Sequence, residues 1–345
     1  MKTLSVCIPV YNTEAYLPRC LDSLLLPEAA EDLELLVVND GSSDGSAAIA
    51  RGYAERFPGA VRVIDKENGG HGSTINAALA AARGRYFRVL DSDDCVDPGA
   101  FAAFLRTLRE AGEDLVVTPF REERSFDGSV IAHDYPWLEE GRVYTADELI
   151  ADAEHPSFLM HACTFRTELL RESGLHLPEH CFYVDMQYVM TPLPFLRSFR
   201  YCAQPVYRYF IGRPEQSMAP EKLLRNLPMH RRVLDWMIRC YARYADSVPA
   251  GTKSAMEQLV RDTYWMHVEL LCVRQKDSRL AYRSLRELEA QTRALSPELY
   301  RRLGASAYLR GCRRCRYLNL LLCRDGYARL LETLRRLRAR ERRKT

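Results

Sequence analysis

Tyr86-Phe87-Arg88-Val89-Leu90-Asp91-Ser92-Asp93-Asp94 is the stretch that decides the fold class. An apolar run of strand-forming residues leads directly into three carboxylates. A short apolar run of this kind reads as a buried strand. In an open α/β sheet, ligands bind just past the carboxyl ends of the strands. Crowded carboxylates repel one another unless they share a cation. Hard cations such as Mg²⁺ or Mn²⁺ take oxygen ligands and commonly bridge a carboxylate to phosphate oxygens. The stretch therefore predicts a metal and diphosphate site at the edge of a sheet.

Working outward, strand-like and helix-like segments alternate over the first hundred residues. Strands are predicted at 4–10, 33–38, 61–64 and 86–90, with helices at 14–26, 44–57, 73–83 and 98–110. Ser42, Asp44, Ser73 and Pro98 mark helix starts. The rhythm predicts an α/β fold, a mostly parallel sheet with helices on both faces. A further strand is predicted at 115–120, and Asp127-Gly128 reads as a hairpin turn. Residues 183–195 begin as a helix that Pro192 and Pro194 disrupt. Beyond about Pro220 apolar residues recur at helical spacing over 223–244, 253–273 and 281–293. The expected domains are 1–215 and an all-helical 216–345, joined through a Gly/Pro/Ser-bearing segment at 213–220.

Composition bounds the partners. Hydrophobic residues make up 47% of the 345 residues, enough for a sizeable core. No stretch approaches the ~18 apolar residues of a membrane span, and Met1-Lys2-Thr3 opens no signal peptide. The eleven Cys follow no disulfide spacing and suit a reducing, cytoplasmic setting. The overall charge of +3 is uneven. Residues 301–345 carry 15 Lys/Arg against Asp325, Glu332 and Glu341, a net +12, which leaves −9 for the first 300.

Each strand end is polar where its strand is apolar. The ends read Pro9-Val10-Tyr11-Asn12 with Glu14, Asn39-Asp40-Gly41-Ser42-Ser43-Asp44-Gly45-Ser46, Lys66-Glu67-Asn68-Gly69-Gly70-His71-Gly72, and the Asp91 cluster. The Gly-rich run has neither the dinucleotide spacing after the first strand nor the Gly-Lys-Ser/Thr ending of a P-loop. In order and at these spacings, the four motifs resemble family 2 glycosyltransferases, inverting enzymes of the GT-A (Rossmann-like) fold that use nucleotide-activated sugars. The resemblance covers about residues 3–218.

The resemblance implies an inverting transfer of a hexosyl group from a UDP-sugar or related donor to a hydroxyl of a glycan or lipid-linked acceptor. Cell-surface polysaccharide or cell-wall glycan synthesis is the expected setting. It implies that Pro9, Tyr11 and Asp40 hold the nucleobase and that Glu14, Lys66, Asn68 and Gly70 border the nucleotide. Asp91, with Ser92, is expected to approach the ribose or donor sugar. Asp93 is the expected ligand of Mg²⁺ or Mn²⁺, and Asp94 is expected to orient the sugar or support the others. Asn39 stands where many members carry an acidic residue. A mobile segment with an Arg followed by a Ser is matched by Arg213 and Ser217, expected to close over the diphosphate, because the Arg fork suits phosphate.

Inversion is one in-line displacement, so a carboxylate must take the acceptor's proton on the face opposite the leaving group. The nucleoside diphosphate leaves without a second acid once a metal neutralises its charge. The family's base lies about a hundred residues past the metal motif, which here points to Asp185, with Glu179 as the competing candidate. Val184 stands where an acidic partner is often found. The rival classes are a nucleotidyltransferase, which needs a basic Gly-rich loop after the first strand, and a non-catalytic sugar-nucleotide-binding module.

His71, His161, Tyr135 and Trp137 read as structural, and Cys312 and Cys315 have no second ligand pair nearby. In the tail, Tyr327, Leu330, Leu331, Leu334 and Leu337 form an apolar stripe among arginines. Such a helix suits an anionic membrane, so peripheral contact with the inner face of the cell membrane is expected and a nucleic-acid partner is not.

Overall fold

The computed structural model describes residues 2–149, 151, 155–212, 220–304 and Arg310, Arg313, Arg314 and Tyr317. Arg213, Ser217, Cys312, Cys315 and the tail stripe lie outside the described residues.

Apolar, β-branched runs form β1 (Leu4–Val10), β2 (Leu33–Asp40), β3 (Val61–Lys66) and β4 (Tyr86–Val89), which pair in parallel. β1 and β2 are buried along their whole length. That burial requires cover on both faces, supplied by α1 (Leu17–Leu24), α2 (Ser46–Arg56), α3 (His71–Ala81) and, after the two-residue strand β5 (Cys95–Val96), α4 (Pro98–Glu110). The helices start later or earlier than propensity suggested. Asp44 accepts from Ser46 N–H, so α2 begins two residues past it. Gly70, at φ +83, opens α3 ahead of Ser73.

The predicted strand at 115–120 is two strands in two sheets: β6 (Leu115–Val117) and β7 (Phe120–Arg124). β7 turns through Gly128 (φ +67) into antiparallel β8 (Val130–His133), the hairpin expected at Asp127-Gly128. The chain then forms β9 (Val143–Thr145), β10 (Cys163–Arg166), α5 (Thr167–Glu172), α6 (Asp185–Met190), β11 (Ser198–Tyr201) and β12 (Tyr207–Ile211). The main sheet runs β3-β2-β1-β4-β10-β6-β11-β9, and a second sheet runs β5-β12-β7-β8. β10 enters antiparallel between β4 and β6, so the sheet is mixed rather than purely parallel.

The helical region comprises α7 (Pro220–Arg225), α8 (Leu227–Tyr244), α9 (Ala250–Glu269), α10 (Ser278–Leu295) and α11 (Pro297–Leu303). The chain divides into one compact unit of Met1–Ser217 with Tyr244–Gln258, and another of Met218–Arg243 with Leu259–Thr345. In the first unit, residues 244–258 dock on the 146–151 segment: Thr252 donates to Ala146 O and Ser254 to Ala151 O. In the second, α8 and α9 are joined by the stacked His230–His267 pair, and Arg313 bridges Glu289 to the Tyr300 ring. Among the described residues, no helix is long and apolar enough to cross a membrane.

Candidate active site

Parallel pairing puts the ends of β1 to β4 on one edge of the sheet, and each end carries its polar motif there. The β1 and β2 loops are laced together. Asn12, at φ +53, accepts from Ser43 N–H, Glu14 accepts from Gly45 N–H at 2.5 Å, and Asp44 accepts from Glu14 N–H at 3.0 Å. Glu14, expected beside the nucleotide, is thus engaged in joining the loops. Pro9 lies within buried β1, whereas Tyr11 stands 53% exposed with its ring available to a ligand.

Asp40 closes β2 and is buried. Its carboxylate accepts from Gly69 N–H (2.9 Å), Gly70 N–H (2.8 Å) and Lys66 Nζ (2.8 Å), and Asn68 Nδ2 donates to its main-chain oxygen. Three sequence-predicted residues, Lys66, Asn68 and Gly70, are therefore gathered around a fourth. Asn39 donates to Asp65 and receives Ser42 N–H.

Beyond β4, Asp94 N–H donates to Asp91 O at 3.0 Å, closing a turn over residues 91–94. A turn of this kind brings its first and last residues together and leaves the third at the corner. Asp91, Asp94 and His161 accordingly place their ligand atoms within 4.8 Å of one another. Asp93, the ligand expected from sequence, is not one of the three; its main-chain oxygen accepts from Arg19. Ser92 is buried under Thr13, whose hydroxyl donates to it.

The back of the turn is built by β12. Pairing of Tyr207 with Val96 and of Arg208 with Cys95 carries β12 past the acidic turn. Tyr207 then donates its hydroxyl to Asp94 at 2.7 Å and accepts Asp91 N–H, while Phe210 N–H donates to Asp94 at 2.8 Å. Burial and the charges of Asp93 and Asp91 hold the Asp94 carboxyl well above the usual carboxylate range. Burial is the largest influence on Asp91 and raises it, but His71, at an Nε2–Oδ1 contact of 2.9 Å, together with His161 and the Tyr207 hydrogen bond outweighs it, so Asp91 lies lower than usual.

His161 is the residue that sequence reading set aside. Its ring stacks on Tyr209 at 4.3 Å and meets the edge of Tyr207 at 4.8 Å. Burial pulls its pKa down to about 4, which leaves a neutral imidazole, the form that binds metals. Its Nδ1 is buried without a hydrogen-bond partner. Arg88, the one charge inside the β4 run, is fully buried and donates to the hydroxyls of Thr118 and Thr164 and to the His161 carbonyl, fixing that residue from behind. A buried neutral imidazole with a ring nitrogen beside two crowded carboxylates fits a divalent cation, which would remove the repulsion.

Asp185 opens α6. Burial raises its pKa, His71 pulls it back and Asp91 adds to the rise. His71 in turn is lowered by burial but raised more by Asp91, Asp185 and Asp93, for a net upward shift. These side chains share one electrostatic neighbourhood. Glu179, the competing candidate, directly precedes the left-handed residue His180. Tyr135 packs in the core, as the structural reading expected, and the half-buried Trp137 meets it edge-on at 5.5 Å.

The model described as "Glycosyl transferase family 2" matches residues 5–174. The chain is 35% identical over 187 residues to the "Uncharacterized glycosyltransferase EpsJ" of Bacillus subtilis, covering 53% of each protein. It is 38% identical over 149 residues to the chondroitin synthase of Pasteurella multocida, covering 43% of this chain and 15% of that protein. The chain thus spans about half of the first relative's length and far less of the second. Among solved structures, residues 1–349 of S. aureus TarS, in complex with UDP, superpose with a TM-score of 0.67 at 18% identity, covering 95% of this chain and 92% of that one. At that identity the likeness shows the GT-A fold.

Proposed function

We propose, from the premise that the chain belongs to glycosyl transferase family 2 through residues 5–174, that it moves a sugar from a nucleoside-diphosphate donor to an acceptor hydroxyl with inversion. The observation that carries the reading is the meeting of the Asp91–Asp94–His161 cluster with Asp185 across His71 at one sheet edge.

Tyr11 supplies an exposed ring face for the base, and Asp40 holds the Gly69–Gly70 turn whose backbone borders the nucleotide. Asp91, Asp94 and His161 would hold Mn²⁺ or Mg²⁺, with Asp93 at the corner of the same turn; the imidazole favours Mn²⁺. When bound, the ion neutralises charge on the departing diphosphate. Asp185 takes the proton of the attacking hydroxyl, and its raised pKa brings its basicity closer to what a general base at neutral pH requires. Arg213 and Ser217 are proposed to close over the diphosphate. A UDP-sugar is the proposed donor, supported by the fold shared with TarS, which binds UDP. The acceptor is proposed to be a glycan or lipid-linked hydroxyl in polysaccharide or wall synthesis, supported by the likeness to chondroitin synthase. The setting is the cytoplasm, with residues 301–345 on the inner face of the membrane.

The test is release of nucleoside diphosphate from a panel of nucleotide-sugars with Mn²⁺, with and without chelator. Metal-dependent release that Asp185→Asn lowers by ~10² or more while nucleotide binding persists supports the reading. Binding without turnover would make the chain a sugar-nucleotide-binding module, and pyrophosphate release from a nucleoside triphosphate would make it a nucleotidyltransferase.

A further inference from the structure

The segment that brings Asp185 to the site has no helix or strand of its own. Residues 173–184 run between α5 and α6 without regular structure. Two of them, His180 (φ +48) and Tyr183 (φ +67), adopt the left-handed conformation, which L-residues hold only where surrounding contacts over-determine it. The contacts that do so come from α3. Asn76 Nδ2 donates to Leu177 O at 2.8 Å, and Asn76 Oδ1 accepts Leu177 N–H at 2.9 Å. One side-chain amide thus takes both backbone groups of a residue far away in sequence. That pairing fixes position and orientation together, much as a strand partner does.

Two further contacts fix the same segment to the start of the same helix. His180 N–H donates to Gly69 O at 2.6 Å. Gly72 lets the backbones meet: a Cβ there would stand 2.6 Å from Pro178 O and 3.0 Å from Leu177 Cβ. From the other side, Asp40 holds the N–H groups of Gly69 and Gly70. The turn 69–72 is therefore gripped by the proposed nucleotide-binding aspartate on one side and by the Asp185-bearing segment on the other.

We infer that Asn76 is a positioning residue for transfer: it sets Asp185 at a fixed place relative to the nucleotide-binding turn, so that binding of a nucleoside diphosphate at the turn tightens the base segment. This role rests on Asp185 being the base proposed above. Among the described residues, the Asn76 amide is engaged by Leu177 and by neither the acidic cluster nor Asp40. Its loss therefore displaces the base and spares the donor site. A displacement of about 1 Å at a reacting group lowers rates by ~10²-fold.

The experiment uses the full chain, with Asn76→Ala and with Asn76→Gln, which keeps both polar groups one methylene further out. Hydrogen exchange of the 177–185 amides is followed with and without UDP and Mn²⁺, alongside kcat and donor KM. In the wild type, UDP with Mn²⁺ is expected to slow exchange across 177–185. In Asn76→Ala exchange is expected to rise ~10-fold, the slowing to vanish, and kcat to fall ~10- to 100-fold with donor KM held within ~2-fold. Asn76→Gln falls between and carries the test if the alanine variant does not fold. Unchanged exchange in both variants overturns the clasp whatever the activity. Altered exchange with unchanged kcat, or with KM rising in step with the loss, overturns the positioning role. A wild-type chain that turns over no nucleotide-sugar sinks the base and this role together, and the exchange data tell that apart from failure of the clasp alone.

Discussion

Asp40 and Asp94 are equally hidden from water, 2% and 1% exposed, at the ends of the two strands that flank β1. Their surroundings are opposite. Asp40 is met by two backbone N–H groups and the Lys66 ammonium. Asp94 receives one N–H and one hydroxyl, and its electrostatic neighbours are Asp93 and Asp91. A buried charge is tolerated when it is paired and costly when it faces its own sign. The Asp40 charge is thus paired within the fold, while Asp91 and Asp94 form, with His161, a cluster that a cation would suit. One aspartate organises the Gly69–Gly70 turn, and the other sits among carboxylates that hold its pKa up.

Exchanging charge for an amide breaks the comparison most directly. Asp94→Asn is expected to lower metal-dependent turnover by ~10³-fold, about 4 kcal/mol of lost transition-state stabilisation, while the metal-free protein melts at the same temperature or higher. A lower melting temperature for metal-free Asp94→Asn would show that the Asp94 charge is already compensated. Removing the partner of the other aspartate has the reverse signature. Lys66→Met leaves Asp40 buried without its cation and is expected to cost about 3 kcal/mol of stability, read as a drop in thermal midpoint with or without Mn²⁺. An unchanged midpoint would mean that the two N–H groups and the Ser73 hydroxyl hold Asp40 without the ammonium.

The two regions were also unequally legible. The Asp40 region is local: β2, its polar end and the Gly-rich turn after β3 are short segments whose patterns state what they are. The run at 86–94 likewise predicts a metal site from its crowded carboxylates alone. Which groups complete that site is a tertiary fact. His161 is brought in by β10 inserting antiparallel beside β4, and Tyr207 and Phe210 by β12 crossing to pair with β5. No periodicity in the chain encodes those pairings. The one local clue was Arg88, a charge inside an otherwise apolar strand, which must have buried partners; one of them is the His161 carbonyl. The 91–94 turn explains why Asp94, and not Asp93, lies beside Asp91 and His161. Closure by the Asp94 N–H turns the first and fourth residues to one side, a geometry that the bare string Asp-Ser-Asp-Asp does not reveal.

Tyr207→Phe sharpens the contrast at smaller scale. The hydroxyl donates to Asp94 and accepts Asp91 N–H, so it orients two of the three cluster residues while touching nothing at Asp40. Loss of such a supporting partner lowers metal affinity by ~10-fold, about 1.4 kcal/mol. A Mn²⁺ titration followed by thermal shift should report that change, and donor binding without metal should not move. An equal loss in both measurements would place the hydroxyl in general packing.

The smallest effect is the most discriminating, because it follows from sign alone. Asp94 is raised in the fold, so the folded state holds its proton at pH values where the unfolded chain, with a carboxyl near 3.9, has lost it. The stability linked to that proton is full below the unfolded value and is lost as pH rises through the folded one. A cation at the cluster competes with the same proton and replaces what rising pH removes. His161, with its pKa pulled down to about 4, is already neutral above that pH and adds little to the slope there. The rise in melting temperature produced by a fixed Mn²⁺ concentration should therefore grow from pH 5 to pH 8, by an amount on the order of 1 kcal/mol in binding linkage. Asp94→Asn should flatten that growth and Lys66→Met should leave it intact. A metal-induced shift that stays constant with pH in the wild-type chain would mean that Asp94 is ionised before the cation arrives, and the difference between the two buried aspartates would then be one of hydrogen bonding rather than of charge.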